Sequence, residues 1–218
     1  ENKMMEGKIQ NITDKNNFLE QIINNKNLNL NVSKRLVNPH KLVADTQKRF
    51  DSYASKQYGY NDYSSYSRKD TLVLHATKSE SIHRALLIYD CVIKNLEILN
   101  YHVENYNYET LIKSPDDLEL KIYMREKCNA KDTVDKHGWK TRELIPNGIM
   151  CFKIDCYEGQ EFKDSATRTL EEQIPKILAK IESIFQEKRE RRVKREIEER
   201  EAAARREAAR RLQERKDQ

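Results

Sequence analysis

The chain has little glycine, little proline and no long apolar run. Its 218 residues include five glycines and four prolines. So few glycines leave little room for a Gly-rich phosphate loop, and no such motif occurs. Without a long hydrophobic run there is no candidate membrane-spanning helix, and no signal peptide is visible. The expected setting is therefore cytoplasmic, with no membrane partner. The four cysteines, Cys91, Cys128, Cys151 and Cys156, include no Cys-x-x-Cys pair. They are expected to be free thiols in a reduced compartment. No ligand spacing among them and the five histidines supports a zinc site. No Ser-His-Asp or Cys-His arrangement is legible, so neither a cofactor nor a catalytic residue is expected.

What is present is polar. Hydrophobic residues make up 37% of the chain and charged residues 35%, with a mean hydropathy of −0.94. Part of such a chain is expected to lie outside any core. A net charge of +5 permits a phosphate-rich partner without requiring one.

Three regions follow from patterning. Residues 1–70 read as a helical N-terminal segment and linker. Asn17–Lys26 can form a short helix, and Val37–Ala54 a second, with Pro39 near its start. Ser55–Asp70 is rich in Tyr, Ser and Asn, lacks periodicity and reads as an exposed loop.

Residues 71–186 read as an α+β domain. LVLHAT alternates like a strand, with Leu72, Leu74 and Ala76 on one side. Thr77 to Glu80 has capping-box spacing. Ile82, Leu86, Tyr89, Ile93 and Leu96 then recur at helical intervals up to Asn100, a residue suited to a left-handed C-cap. YHVENYNYETLI reads as a second strand. Leu118–Glu126 places Leu118, Leu120, Ile122 and Met124 opposite Glu119, Lys121, Tyr123 and Arg125, and Ile149–Tyr157 repeats the pattern. The expected architecture is an antiparallel sheet with helices packed on one face. A final helix beginning or bending at Pro175 would dock through Leu170, Ile174, Ile177, Leu178, Ile181, Ile184 and Phe185.

Residues 187–218 read as a long charged helix projecting from that domain. Glu187 with Arg191, Glu196 with Arg200 and Glu201 with Arg205 are i,i+4 pairs, each worth about 0.2–0.5 kcal/mol. A thin line of Val193, Ile197, Ala204, Ala208 and Leu212 offers self-association or a protein partner.

Three constellations invite chemistry. Lys127–Gly148 reads as a basic loop resembling the wing of a nucleic-acid-binding domain. Lys131, Lys136, Lys140 and Arg142 would meet phosphates, and Trp139 would stack on a base or pack against the domain. SPDDLELK resembles the signature of PD-(D/E)xK nucleases, which implies a metal held by acidic residues with Lys121 activating water. It departs from that family because only two residues separate Asp116 from Glu119. Glu80 and His83 share a helix face, but no second Glu-x-x-His exists to complete a di-iron site.

More broadly, VNPHKLVADT, SESIHRALLIYDCVIKNLE, LELKIYMRE and FKDSATRTLEEQIPKILAKI resemble the C-terminal module of a group of uncharacterised bacterial proteins. Those often carry an N-terminal helix-turn-helix-like segment and have Gly where this chain has Asn100. The resemblance implies DNA-level regulation without an established activity, and that the chain is part of a longer protein. The leading expectation is a non-enzymatic interaction module, with nucleic acid as the candidate partner. A metal-dependent nuclease is the alternative.

Overall fold

The computed structural model describes residues 18–54, 71–134, 138–155 and 159–216. The expected loop at Ser55–Asp70, Lys136 and Cys156 lie outside them. Among the described residues, four α-helices, α1 (Phe18–Asn24), α2 (Lys41–Ala54), α3 (Ser79–Ile98) and α4 (Ile174–Lys216), accompany six strands. The strands are β1 (Leu74–His75), β2 (His102–Tyr106), β3 (Glu109–Lys113), β4 (Glu119–Val134), β5 (Lys140–Asp155) and β6 (Gln160–Lys163). The class is α+β, with helices on one sheet face and a long charged C-terminal helix.

β2 to β6 form an antiparallel meander in chain order. β1 is parallel to β4, pairing Leu74 with Met124. It takes the edge of β4 that β3 leaves after Thr110 pairs with Ile122, since the other edge belongs to β5.

Alternation decides which face is buried. Leu120, Ile122 and Met124 of β4 and Met150, Phe152 and Ile154 of β5 join one hydrophobic core with α3 and α4. Tyr89 of α3 tilts against Phe152, with ring centroids 6.1 Å apart, and its hydroxyl donates to the Val73 carbonyl at 2.7 Å. Phe185 of α4 stacks on Tyr101 at 4.8 Å.

Several local expectations are corrected. YHVENYNYETLI is a hairpin, not one strand: Asn107 and Tyr108 both have positive φ, as a tight type I′ connection requires. The capping box does not form. Lys78 is the N-cap, no side chain caps the helix, and the buried Thr77 Oγ1 has no hydrogen-bond partner among the described residues. The C-terminus of α3 follows expectation. Asn100 has φ 65°, and the Tyr101 and Asn100 N–H groups donate to the Leu96 and Glu97 carbonyls at 2.9 and 3.0 Å, a Schellman motif. α4 begins at Ile174, with Pro175 in its first turn, where no N–H partner is needed.

The largest correction concerns Lys127–Gly148. Its described backbone is mostly two strands rather than a loop, paired from Cys128 with Pro146 out to Val134 with Lys140. Seven residues at about 3.4 Å each carry this ribbon roughly 20 Å from the sheet.

Candidate interaction surface

The ribbon begins at a bulge. Between the Glu126–Met150 and Cys128–Pro146 pairs, Lys127 alone opposes Asn147, Gly148 and Ile149. Gly148 has φ 81°, which a residue with a Cβ adopts only with strain. Its N–H donates to Oε1 of the buried Glu126 at 2.9 Å. Asn147 Nδ2 donates to Asn129 Oδ1 at 3.1 Å across the base. Bulges of this kind redirect a strand pair, and here one marks where the sheet ends and the arm starts.

Beyond the bulge nearly every described residue of the arm is exposed. Pairing register distributes the expected binding residues. Arg142 faces Asp132 and Lys140 faces Val134 on one side, while Lys131 faces Glu143 on the other. Arg142 Nε and Asp132 Oδ1 are 3.8 Å apart, both well exposed. Trp139 lies near the tip, 72% exposed, between Gly138 and Lys140. Val134, Leu144 and Ile145 add exposed apolar surface. The structure thus places Lys131, Trp139, Lys140 and Arg142 on one limb but splits the basic residues between its two faces.

The second exposed surface is the sheet face away from the helices. Sequence alternation puts Tyr123, Arg125 and Lys153 there, and register adds Glu161. Arg125 Nη2 donates to Glu161 Oε2 at 2.9 Å, Lys127 Nζ lies 3.2 Å from Glu161 Oε1, and Lys153 Nζ lies 3.7 Å from Oε2. Burial pushes the Glu161 carboxyl up, but Lys127 and Arg125 outweigh it and hold it below the usual carboxylate range. Lys153 also sits 5.7 Å above the Tyr123 ring, and His75 meets that ring edge-on at 6.1 Å. Partial burial, then the Arg125 charge, lowers the His75 pKa. Cys151 lies on the same face but is fully buried. Burial and the Glu161 charge raise its thiol pKa, against Lys127 and Arg125.

This cluster was missed from sequence because two of its four residues depend on pairing. β6 is four residues of mixed polarity and gave no strand signal. The visible hint was Arg125 and Lys153 on the polar sides of the two clearest strands.

The nuclease signature residues do not converge. Asp116 accepts from Arg189 of α4, with Nη2 to Oδ1 at 3.1 Å. Glu119 faces Lys113 at 3.4 Å, and Lys121 is tied to Glu109 at 2.7 Å. Among the described residues no three His, Cys, Asp or Glu side chains are grouped to hold a metal. Glu80 and His83 are both exposed on the first turns of α3.

The charged helix is docked further than its apolar stripe implies. Lys188 donates to the Glu119 carbonyl, Arg189 to the Asp116 carboxylate and Arg192 to the Asp116 carbonyl at 3.1 Å. From Val193 onward it is almost entirely exposed. Among the described residues no helix is long and apolar enough to cross a membrane.

Compared with protein-family models, with curated proteins and with solved structures, the chain matches none.

Proposed function

We propose that the protein is a non-enzymatic interaction module of a bacterial nucleic-acid-associated or regulatory system, working in a reducing cytoplasm, and that it engages nucleic acid through the β4–β5 arm. The observation that carries this reading is the arm itself, a ribbon exposed on both faces that presents Lys131, Lys140, Arg142 and Trp139. A two-stranded ribbon fits the width of a duplex major groove, and lysine, arginine and an exposed indole suit phosphates and bases. Asp132 and Glu143 stand opposite two of the cations. They keep the ribbon's net charge low, so it neutralises few phosphates by itself.

Replacing Lys136, Lys140 and Arg142 together by Gln is expected to weaken binding of a duplex oligonucleotide. The log–log salt slope should fall by about 0.9 for each phosphate the variant no longer neutralises. Equal affinity and equal slope would place binding elsewhere. The nuclease reading gains no support, because its acidic residues are engaged in separate ion pairs. Pairing of two copies along α4 is the second reading, but its support is thin, because Val193 and Ile197 are followed on that line by Ala204 and Ala208.

A further inference from the structure

The polar sheet face is not uniform in charge. Toward β2 and β3 its cations are locally matched: Lys113 lies 2.8 Å from Glu104 and 3.4 Å from Glu119, and Lys121 lies 2.7 Å from Glu109. At the base of the arm three cations, Arg125, Lys127 and Lys153, are ion-paired, among the described residues, with one carboxylate, that of Glu161. One carboxylate paired with three cations leaves this cluster with an excess of positive charge. Lys163, paired with Cys151, adds a further cation on the same face.

We propose that Arg125, Lys127 and Lys153 form a phosphate-binding site, and that Glu161 is an internal carboxylate occupying it until a phosphate group displaces it. The site is built on stable elements. β4 and β5 are central strands, and their register fixes the spacing of Arg125 and Lys153. The occupant sits on β6, a strand of four residues at the end of the sheet order.

The cluster is accessible: Arg125, Lys127 and Lys153 side chains are 41%, 30% and 31% exposed. A guanidinium fork matches two oxygens of a phosphate. Arg125 uses Nη2 for Glu161, while its buried Nε has no acceptor among the described residues. A phosphate carries more acceptor oxygens and more charge than the carboxylate, so it can satisfy more of these donors.

The site stands without the arm reading. That reading decides only whether the phosphate belongs to a nucleic-acid backbone or to a small free phosphate. Two probes on the full chain at low ionic strength separate the sources: inorganic phosphate, and a short duplex oligonucleotide without terminal phosphates. We expect saturable binding of inorganic phosphate by calorimetry. Lys153→Gln should abolish it, and Glu161→Gln should strengthen it by roughly threefold to tenfold, about 0.7–1.4 kcal/mol.

Loss of both probes in Lys153→Gln assigns the site to the nucleic-acid backbone. Loss of inorganic phosphate alone assigns it to a small phosphate. Either result supports the site. Substituting Lys140 and Arg142 should leave inorganic phosphate binding intact, so failure of the arm reading would be seen separately. No saturable phosphate binding by the wild type and by Glu161→Gln would overturn the proposal. Glu161→Gln weakening binding as Lys153→Gln does would overturn the role given to Glu161.

Discussion

At the residue scale Arg84 joins three parts of the fold through one guanidinium. From the middle of α3's first half it holds Asp164 with both terminal nitrogens, at 2.8 and 2.7 Å, and Glu171 through Nε and Nη2, each at 2.6 Å. Asp164 also accepts the Met150 and Leu170 N–H groups at 2.8 Å. One guanidinium therefore ties α3 to β5 and to the turn that starts α4. Burial pushes Asp164 up, but Arg84 and the two N–H groups outweigh it and hold its pKa below the ordinary value. Arg84 lowers Glu171 as well. Removing Arg84 strands two half-buried carboxylates, so Arg84→Met should cost about 2–3 kcal/mol in a denaturant titration. Both folded-state pKa values are depressed. This stabilisation is thus full above about pH 4.5 and is lost as pH falls through them. The gap between wild type and variant should narrow below about pH 4. An equal gap at pH 7 and pH 3 would show that the ion pairs are not its source.

At the element scale α4 is one helix with two kinds of support. Up to Phe185 it is held by apolar burial: Ile174, Ile177, Leu178, Ile181 and Phe185 are all fully buried. Phe185→Ala should cost about 3–5 kcal/mol, since it removes a ring from both the core and the Tyr101 stack. An unchanged thermal midpoint would contradict that docking. Next comes a short ionic stretch in which Lys188, Arg189 and Arg192 meet the β3–β4 turn. Deleting residues 193–218 should change stability by less than about 0.5 kcal/mol. Deleting from Lys188 should cost about 1 kcal/mol more, the scale of half-exposed ion pairs.

The apolar stripe of α4 was legible in the sequence because helical periodicity needs no partner. The ionic stretch was not, because nothing local to Arg189 announces Asp116. The same limit explains the arm. A strand exposed on both faces has no hydrophobic alternation, so Cys128–Val134 and Lys140–Gly148 read as loop. Pairing alone defines them.

At the scale of the whole molecule two limbs leave one core, the β4–β5 arm and the outer part of α4. Residues 187–218 hold thirteen basic and nine acidic residues, so they carry four of the chain's five net positive charges. Six i,i+4 ion pairs line the helix from Glu187 to Glu214. Glu187–Arg191 and Glu201–Arg205 pair as their spacing suggests, whereas Glu196 pairs back to Arg192. At about 0.2–0.5 kcal/mol each, the six supply roughly 1–3 kcal/mol, enough to hold helix formers without a core. A coiled coil would need large apolar residues at both seam positions over several heptads. Val193 and Ile197 are followed on that line by Ala204 and Ala208, too little surface to drive pairing. The outer part of α4 is therefore expected to stay single. Circular dichroism of residues 187–218 should show helicity that falls as salt screens the pairs and does not change with peptide concentration. Sedimentation of the full chain should likewise be independent of concentration in the micromolar range. Helicity that rises with concentration and persists at high salt would instead mean that apolar pairing, not ion pairs, holds this helix.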